Sequence, residues 1–453
     1  MNQMNHIRST NIWWPLPVAM LFIFIFPLKF DEVGFGFLLI TLQSAIFLSL
    51  SLRGAVNLYS VFQVFNLSFF GLIPWLHYSL NNVLLRNTPL TDDVYFETNF
   101  LIFSANLLTF FIYWPVRRKA EAIPPITAPI AERAGGVFLL ALSLSGFFIT
   151  FWLNDSDLSA LFVRGEIDAV REQATESSAA QLTFGMVGRL LPAFCLYYAI
   201  TEIRGSLILK LLLGLSLLIS AFPTAIPRFL VGFIYIPLVL ILFPVFRNAS
   251  RFVAAFVIGL LLVFPFLNQF RRFEGWNHLS IIPDPEFFLE GHFDAYENFG
   301  SIVEIGLVTG GRQLIGAIAF FIPRDFWADK PLGSGHELAI LSDYYFTNIS
   351  MPFFAEGFIN FGPLGVALFC AFLGYVLGKI DGLHNLNNGN TISYKTVFFF
   401  FLIGALFFIL RGDLLSATAY LTSGLVVYLT VGNGVRFLRA AFGLDATRSQ
   451  RSV

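Results

Sequence analysis

The 453-residue sequence predicts an all-α polytopic membrane protein with about twelve transmembrane helices and a large folded outer loop, and three observations predict it. Apolar residues make up 56% of the chain and charged residues only 13%, against roughly 25% charge in an ordinary soluble protein. The apolar positions gather into runs, and twelve spans of about 20 residues would occupy about half the chain. The basic residues, finally, are sorted to one side of those runs. A soluble chain of this length would make about three domains, and a mean hydropathy of +0.73 excludes that.

The first run, Ile12 to Leu28, holds two early prolines and no small-residue cleavage site, so it reads as a retained helix. Further runs follow at about 33–52, 56–79, 97–115, 134–153, 182–201, 207–225, 229–246 and 252–270. After a long polar stretch come 353–378, 395–410 and 414–432. The apolar run 313–323 is about eleven residues long, too short for a bilayer core of about 30 Å. It reads as a re-entrant or interfacial segment.

With the N-terminus in the cytoplasm, the inner segments collect Arg53, Arg117, Arg118, Lys119, Arg247 and Arg251 in short connections. Of the 29 acids, only Glu121, Glu132, Glu202, Asp381 and Asp445 fall inside. Both termini are therefore expected in the cytoplasm. Residues 116–133 read as a cytoplasmic linker between two halves of one membrane domain. Three outer segments exceed connector length: 80–96, 154–181 and 271–352. The aromatic content of the last predicts a folded cap. A net charge of −1 gives no reason to expect a nucleic-acid partner. Cys195 and Cys370 lie in apolar runs, so neither a disulfide nor a thiolate metal site is expected. Phenylalanine reaches 56 residues, which no motif explains. GxxxG spacings abound in so glycine-rich a chain and are given no weight.

Outer arginines are the main chemical signal. Arg228 opens the eighth span, Arg271 and Arg272 close the ninth, and Arg411 ends the eleventh. Arg312, Arg324 and Lys330 lie in the cap. Guanidinium groups at the membrane face suit a phosphate or pyrophosphate, because they offer planar bidentate donors that stay charged. Taken singly, each could instead snorkel to the headgroups. Arg189, inside the sixth span, costs about 2.5–3.5 kcal/mol there and needs a partner or a polar cavity.

Asp294, Glu297 and Glu304 fall roughly on one helical stripe with Phe293 and Tyr296 between them. The stripe could hold a sugar, or lie on the membrane surface with a solvated acidic face. His336 is a candidate general base in a turn-rich loop. Glu356 stands beside an apolar run, where a carboxylate is expensive unless paired or functional. It is either a base or a structural carboxylate bonded to Arg228 or Arg411. The glycines and Pro363 around it predict an unwound or kinked backbone. Asp155 and Asp157 have the DxD form but read better as a cap of the short helix 158–172, in which Arg164, Asp168 and Arg171 share a face. No zinc, P-loop or dinucleotide fingerprint is present in the sequence.

Residues Gly310 to Gly365 resemble the bacterial O-antigen polymerases, which join the repeat units of surface polysaccharides. The matching segments are GGRQLIGAIAFFIPRDFWADKPLGSG and AEGFINFGPLG leading into a span. An arginine before the eighth span, the Arg271-Arg272 pair and a terminal RGD-containing hairpin agree with them. The related O-antigen ligases carry a histidine before a comparable turn. Aligned on Phe361-Gly362 that position falls near Met351, which favours polymerase over ligase. The resemblance implies a GT-C-type membrane glycosyltransferase-like fold in the bacterial inner membrane, with a periplasmic active site and no metal or other cofactor. The donor would be a growing glycan on undecaprenyl pyrophosphate, and the acceptor a new lipid-linked repeat unit. Arg228, Arg271 and Arg272 would bind pyrophosphate, with Arg312 and Arg411 assisting. Glu356 or His336 would take the proton from the attacking hydroxyl. Asp294, Tyr296, Glu297 and Trp327 would grip glycan. Membrane lipid and a chain-length regulator are the implied partners. A ligase, or a flippase for lipid-linked saccharide, is the competing expectation.

Overall fold

The computed structural model describes residues 12–120, 133–154, 156, 158, 161–162, 179–203, 205–270, 285–384 and 392–441. Among them the protein is helical, and the one extended pairing is an isolated bridge between Ala55 and Asn248. In chain order the helices are α1 (Pro15–Ile25), α2 (Glu32–Ser51), α3 (Leu58–Leu80), α4 (Asp92–Lys119), α5 (Arg133–Leu153), α6 (Ala179–Glu202), α7 (Leu207–Ser220), α8 (Arg228–Leu242) and α9 (Ala249–Asn268). Then come α10 (Ala295–Ile305), α11 (Arg312–Ile318), α12 (Ser334–Leu341), α13 (Phe353–Leu383), α14 (Tyr394–Arg411) and α15 (Leu414–Ala441).

Each apolar run is helical, but nine helices among the described residues are long and apolar enough to cross a membrane. The chain is a multi-pass membrane protein. The difference from twelve lies in α1, α7 and α8, of 11, 14 and 15 residues. At 1.5 Å per residue these reach only about 16–22 Å. Prolines stop them: Pro27 follows α1, Pro223 follows α7, and Pro227 and Pro244 bracket α8.

Prolines also explain the irregular turns. A π turn at Asn66–Leu72 precedes Pro74 in α3, and one at Gly259–Val263 precedes Pro265 in α9. A proline ring clashes with the carbonyl four residues back, and a widened turn there relieves the clash. In α13 the break is sharper. Phe361 (φ −145°, ψ 25°) and Gly362 (φ 64°, ψ −152°) leave the helix just before Pro363. The freed carbonyls are recaptured by the 309–311 turn. Thr309 N and Oγ1 donate to Ile359 O at 2.7 and 3.0 Å, and Gly311 N donates to Asn360 O at 3.0 Å.

The glycine spacing that sequence alone gave no weight turns out to be a packing face. Gly374, Gly378 and Gly382 of α13 meet the backbone carbonyls of Thr109, Tyr113 and Arg117 of α4; a Cβ on any of them would stand within 3 Å of that oxygen. Small residues let two membrane helices approach this closely. The phenylalanines fill the rest: Phe65, Phe69 and Phe256 surround Phe407, and Phe229 stacks on Phe408 and Tyr420.

Loops gather at two ends of the bundle. At one, Asp381 accepts from Leu58 N (2.8 Å), Tyr59 N (3.1 Å) and Tyr113 Oη (2.9 Å), while Arg117 donates to Tyr113 Oη. Val56 N bonds Arg247 O at the same end. At the other end residues 81–91, 285–352 and 411–414 pack together.

Candidate functional site

Glu356 sits in the first turn of α13 and is fully buried. Its Oε2 accepts from Ser334 Oγ at 2.8 Å and its Oε1 from Leu414 N at 2.7 Å. Those donors open α12 and α15, so one carboxylate ties the starts of three helices together. It is bonded to neither Arg228 nor Arg411, unlike the structural alternative read from sequence. Gly333 packs against the Asp413 carboxylate, which caps α15 by accepting from Ser416 N and Oγ. Gln313 donates to Glu337, and Asn360 Oδ1 accepts from Leu314 N at 2.8 Å. The segment from Thr309 to Gly365 thus folds as one interlocked unit. Gly311 is required in it: its φ is +89°, and a Cβ there would stand 2.9 Å from the Phe361 ring.

Two of the sequence-selected arginines converge on the turn 290–294. Arg228 Nη2 lies 3.2 Å from His292 Nδ1, with its guanidinium 5.7 Å from the Phe287 ring centroid. Arg411 Nη2 donates to Asp294 Oδ1 at 2.9 Å and reaches Gly291 O at 3.5 Å, while its Nε is buried with no acceptor among the described residues. Arg411 lies three residues before Leu414, whose N–H holds Glu356. Arg312 is exposed at the start of α11 and donates to Asp329 O at 2.7 Å. Arg271 and Arg272 lie outside the described residues, as do Asp155, Asp157, Arg164, Asp168 and Arg171.

Two of the three acids of the stripe are turned into the fold, and only Glu304 is exposed. Asp294 is 2% exposed and fully engaged, accepting from Ser350 N (3.1 Å), Ser350 Oγ (2.7 Å), Asn298 Nδ2 (3.1 Å) and Arg411. Glu297 accepts from the N–H groups of Leu84, Leu85 and Arg86, holding the 81–91 loop onto α10. Burial raises its pKa and outweighs those N–H groups and Arg86, which lower it. Glu304 pairs with Arg86 at 2.6 Å. Tyr296 is buried and donates to Asn99 Oδ1 at 2.9 Å. Asp294 and Glu297 face inward because α10 is wedged between α4 and α13, so they meet hydrogen-bond donors instead of water. Trp327 is half-buried in the 323–330 turns, with no ring partner among the described residues.

Lys330 is buried and spends its ammonium on Phe320 O (2.6 Å) and Ile322 O (2.9 Å); burial, then Arg324, lower its pKa. Arg324 donates to Lys330 O at 2.7 Å. The Lys330 ammonium is not available to a ligand without unfolding its turn, whereas Arg324 is exposed. His336 is half-buried in α12 and makes no hydrogen bond to a described residue. It stands one turn on from Gly333, beside Asp413, and two residues from Ser334, so Ser334 and His336 face different ways. The structure therefore separates the two candidate bases. Among the described residues no three His, Cys, Asp or Glu side chains gather as metal ligands.

Comparison with protein-family models, with characterised proteins and with solved structures returns no match.

Proposed function

We propose that this chain is a repeat-unit polymerase, transferring a growing glycan from undecaprenyl pyrophosphate to the hydroxyl of a new lipid-linked unit at the outer face of a bacterial inner membrane. The observation that carries the reading is the convergence of Arg228 and Arg411 on residues 290–294, with Arg411 three residues before the Leu414 amide that Glu356 holds. The segment that resembles the O-antigen polymerases supplies Glu356 and the turn that braces it, from Thr309–Gly311 to the α13 break.

In this reading Arg228 and Arg411 neutralise the pyrophosphate as the glycosyl bond breaks. Pyrophosphate leaves readily, so the site supplies charge stabilisation and no general acid. Arg411 is tethered by Asp294, whose other bonds hold it in place when the guanidinium turns to the ligand. Glu356 has both oxygens engaged and no access to solvent. Its role is to position the 411–414 turn. His336, with an imidazole not committed to a described neighbour, takes the proton from the acceptor hydroxyl.

The test is the polysaccharide ladder of a deletion strain complemented with each variant at equal expression. Wild type restores the ladder, and Glu356→Ala reduces it to single-repeat product. Glu356→Gln, which can still bond Ser334 and Leu414, keeps it, and His336→Ala loses it. If Glu356→Gln fails as completely as alanine, the carboxylate is the base and the roles reverse. If wild type restores no ladder, the polymerase reading goes; uncapped core in the deletion strain would point to a ligase.

A further inference from the structure

Three membrane helices end around a polar cleft beside the cap. It lies where α2 and α4 begin and α3 finishes, and its volume is about 160 Å³. That is below the roughly 300–1,000 Å³ of sites for drug-sized ligands and suits one small polar ring. Its wall carries Lys29, Tyr78, Asn81, Asn82, Asp92 and Tyr95. Lys29 Nζ donates to Asn81 Oδ1 at 2.9 Å and stands 5.1 Å from the Tyr78 ring centroid. Tyr78 Oη donates to Asp31 Oδ2 at 2.7 Å, and the Tyr78 and Tyr95 rings meet edge to face at 4.9 Å.

Other groups in the cleft are uncommitted. The Asp92 carboxylate is exposed, and neither it nor the Tyr95 hydroxyl bonds a described residue. Asn82 spends its Nδ2 on Leu289 O at 2.9 Å, leaving its Oδ1 without a donor among the described residues. This differs from the α10 stripe next to it, where each carboxylate is already engaged.

We propose that the cleft binds a neutral sugar ring of a membrane-anchored glycan. Aromatic rings offer contact to the C–H face of a pyranose, while Asp92, Asn82 and Tyr95 offer bonds to its hydroxyls. An anion is disfavoured, because Lys29 already serves Asn81 and the carboxylates of Asp31 and Asp92 lie close by. The position fits a lipid-linked ligand, since three span ends set the cleft at the membrane surface. Segment 285–294 also joins it to the arginines. Phe288 O and Leu289 O bond His77 (2.7 Å) and Asn82 at the cleft, whereas His292 and Asp294 meet Arg228 and Arg411. Phe288 and His292 are four residues apart, at most about 14 Å along the chain. A pyrophosphate at the arginines would thus carry one of its first sugars to the cleft, an assignment that rests on the polymerase reading.

The experiment uses the full chain in a detergent without a sugar headgroup, with saturation-transfer NMR to free glucose, galactose, rhamnose and N-acetylglucosamine. At least one sugar should receive saturation from wild type. Asp92→Asn and Tyr95→Phe should each weaken its binding about fivefold, the loss of one hydrogen bond. Val83→Trp, which fills the cleft, should abolish the signal, and Arg251→Ala at the opposite end should leave it unchanged. No transfer to any of the four sugars, or transfer that survives Val83→Trp, overturns the proposal. If the cleft variants bind sugar normally while Glu356→Ala loses the ladder, the cleft is wrong and the polymerase reading stands. If Val83→Trp abolishes sugar binding while wild type builds no ladder, the cleft stands and that reading falls.

Discussion

The two ends of the bundle solve the same problem with different means. At the Asp381 end one buried carboxylate caps α3 and receives Tyr113 from α4, and short connections complete the closure. At the other end three carboxylates do comparable work: Asp294 holds Ser350, Glu297 holds the 84–86 backbone, and Glu356 holds Leu414. A buried acid at either end is thus first a fastener for backbone N–H groups. What distinguishes the second end is what remains without a hydrogen-bond partner among the described residues around the fasteners: the Nε of Arg411, His336, and the Asp92–Tyr95 cleft.

The comparison breaks first at Asp381. Asp381→Ala leaves two backbone N–H groups and a tyrosine hydroxyl buried without an acceptor, at about 1–3 kcal/mol each. The variant should lose about 3 kcal/mol or more, read as a large fall in thermal midpoint of the detergent-solubilised protein. A midpoint equal to wild type would show that this end is not held as described.

At the other end the arginine variants should separate function from folding. Arg228→Ala should lower polymerisation of lipid-linked repeat units in membranes by about a hundredfold, the scale of one lost charge-stabilising donor. Its thermal midpoint should stay near wild type. Arg411→Lys keeps a cation opposite Asp294 and should lose less. Equal activity in both variants would leave the arginines as headgroup anchors.

The smallest effect belongs to Glu297. Burial holds its carboxyl above the ordinary 4.5, so just above that pH the folded chain binds more protons than the unfolded one. Stability then falls as pH rises through that window. Glu297→Gln should flatten this part of the thermal-midpoint profile by a few degrees at most. An unchanged slope would mean that its ionisation is not coupled to folding.

Much of the fold is legible in local pattern. Length of apolar run, proline placement and charge sorting are one-dimensional properties, and they locate the helices and the stops that shorten α1, α7 and α8. The α13 break could be read from Gly362-Pro363, since only glycine accepts that φ and proline cannot continue the ladder. The glycines at 374, 378 and 382 carried a signal as well, but their meaning depends on which helix faces them. Site residues were less legible. Asp294 and Glu297 look like open acids in sequence because, apart from Asn298, the donors that consume them lie 56 or more residues away or come from loop amides without a side-chain signature. The loop 80–96 stood out by length, yet Lys29, Tyr78, Asp92 and Tyr95 belong to three different span ends and share no motif.

Composition and hydropathy by themselves determined that this chain is a helical multi-pass membrane protein, because lipid forces every backbone group into internal hydrogen bonds and helices do this segment by segment. Only the tertiary structure decided which charges are spent. A carboxylate's role depends on the donors brought to it, and those arrive from distant segments as the helices pack. Hence Asp294, Glu297, Glu356 and Asp381 became fasteners, while the Asp92 carboxylate and the Tyr95 hydroxyl in the cleft beside the cap kept no bond to a described residue.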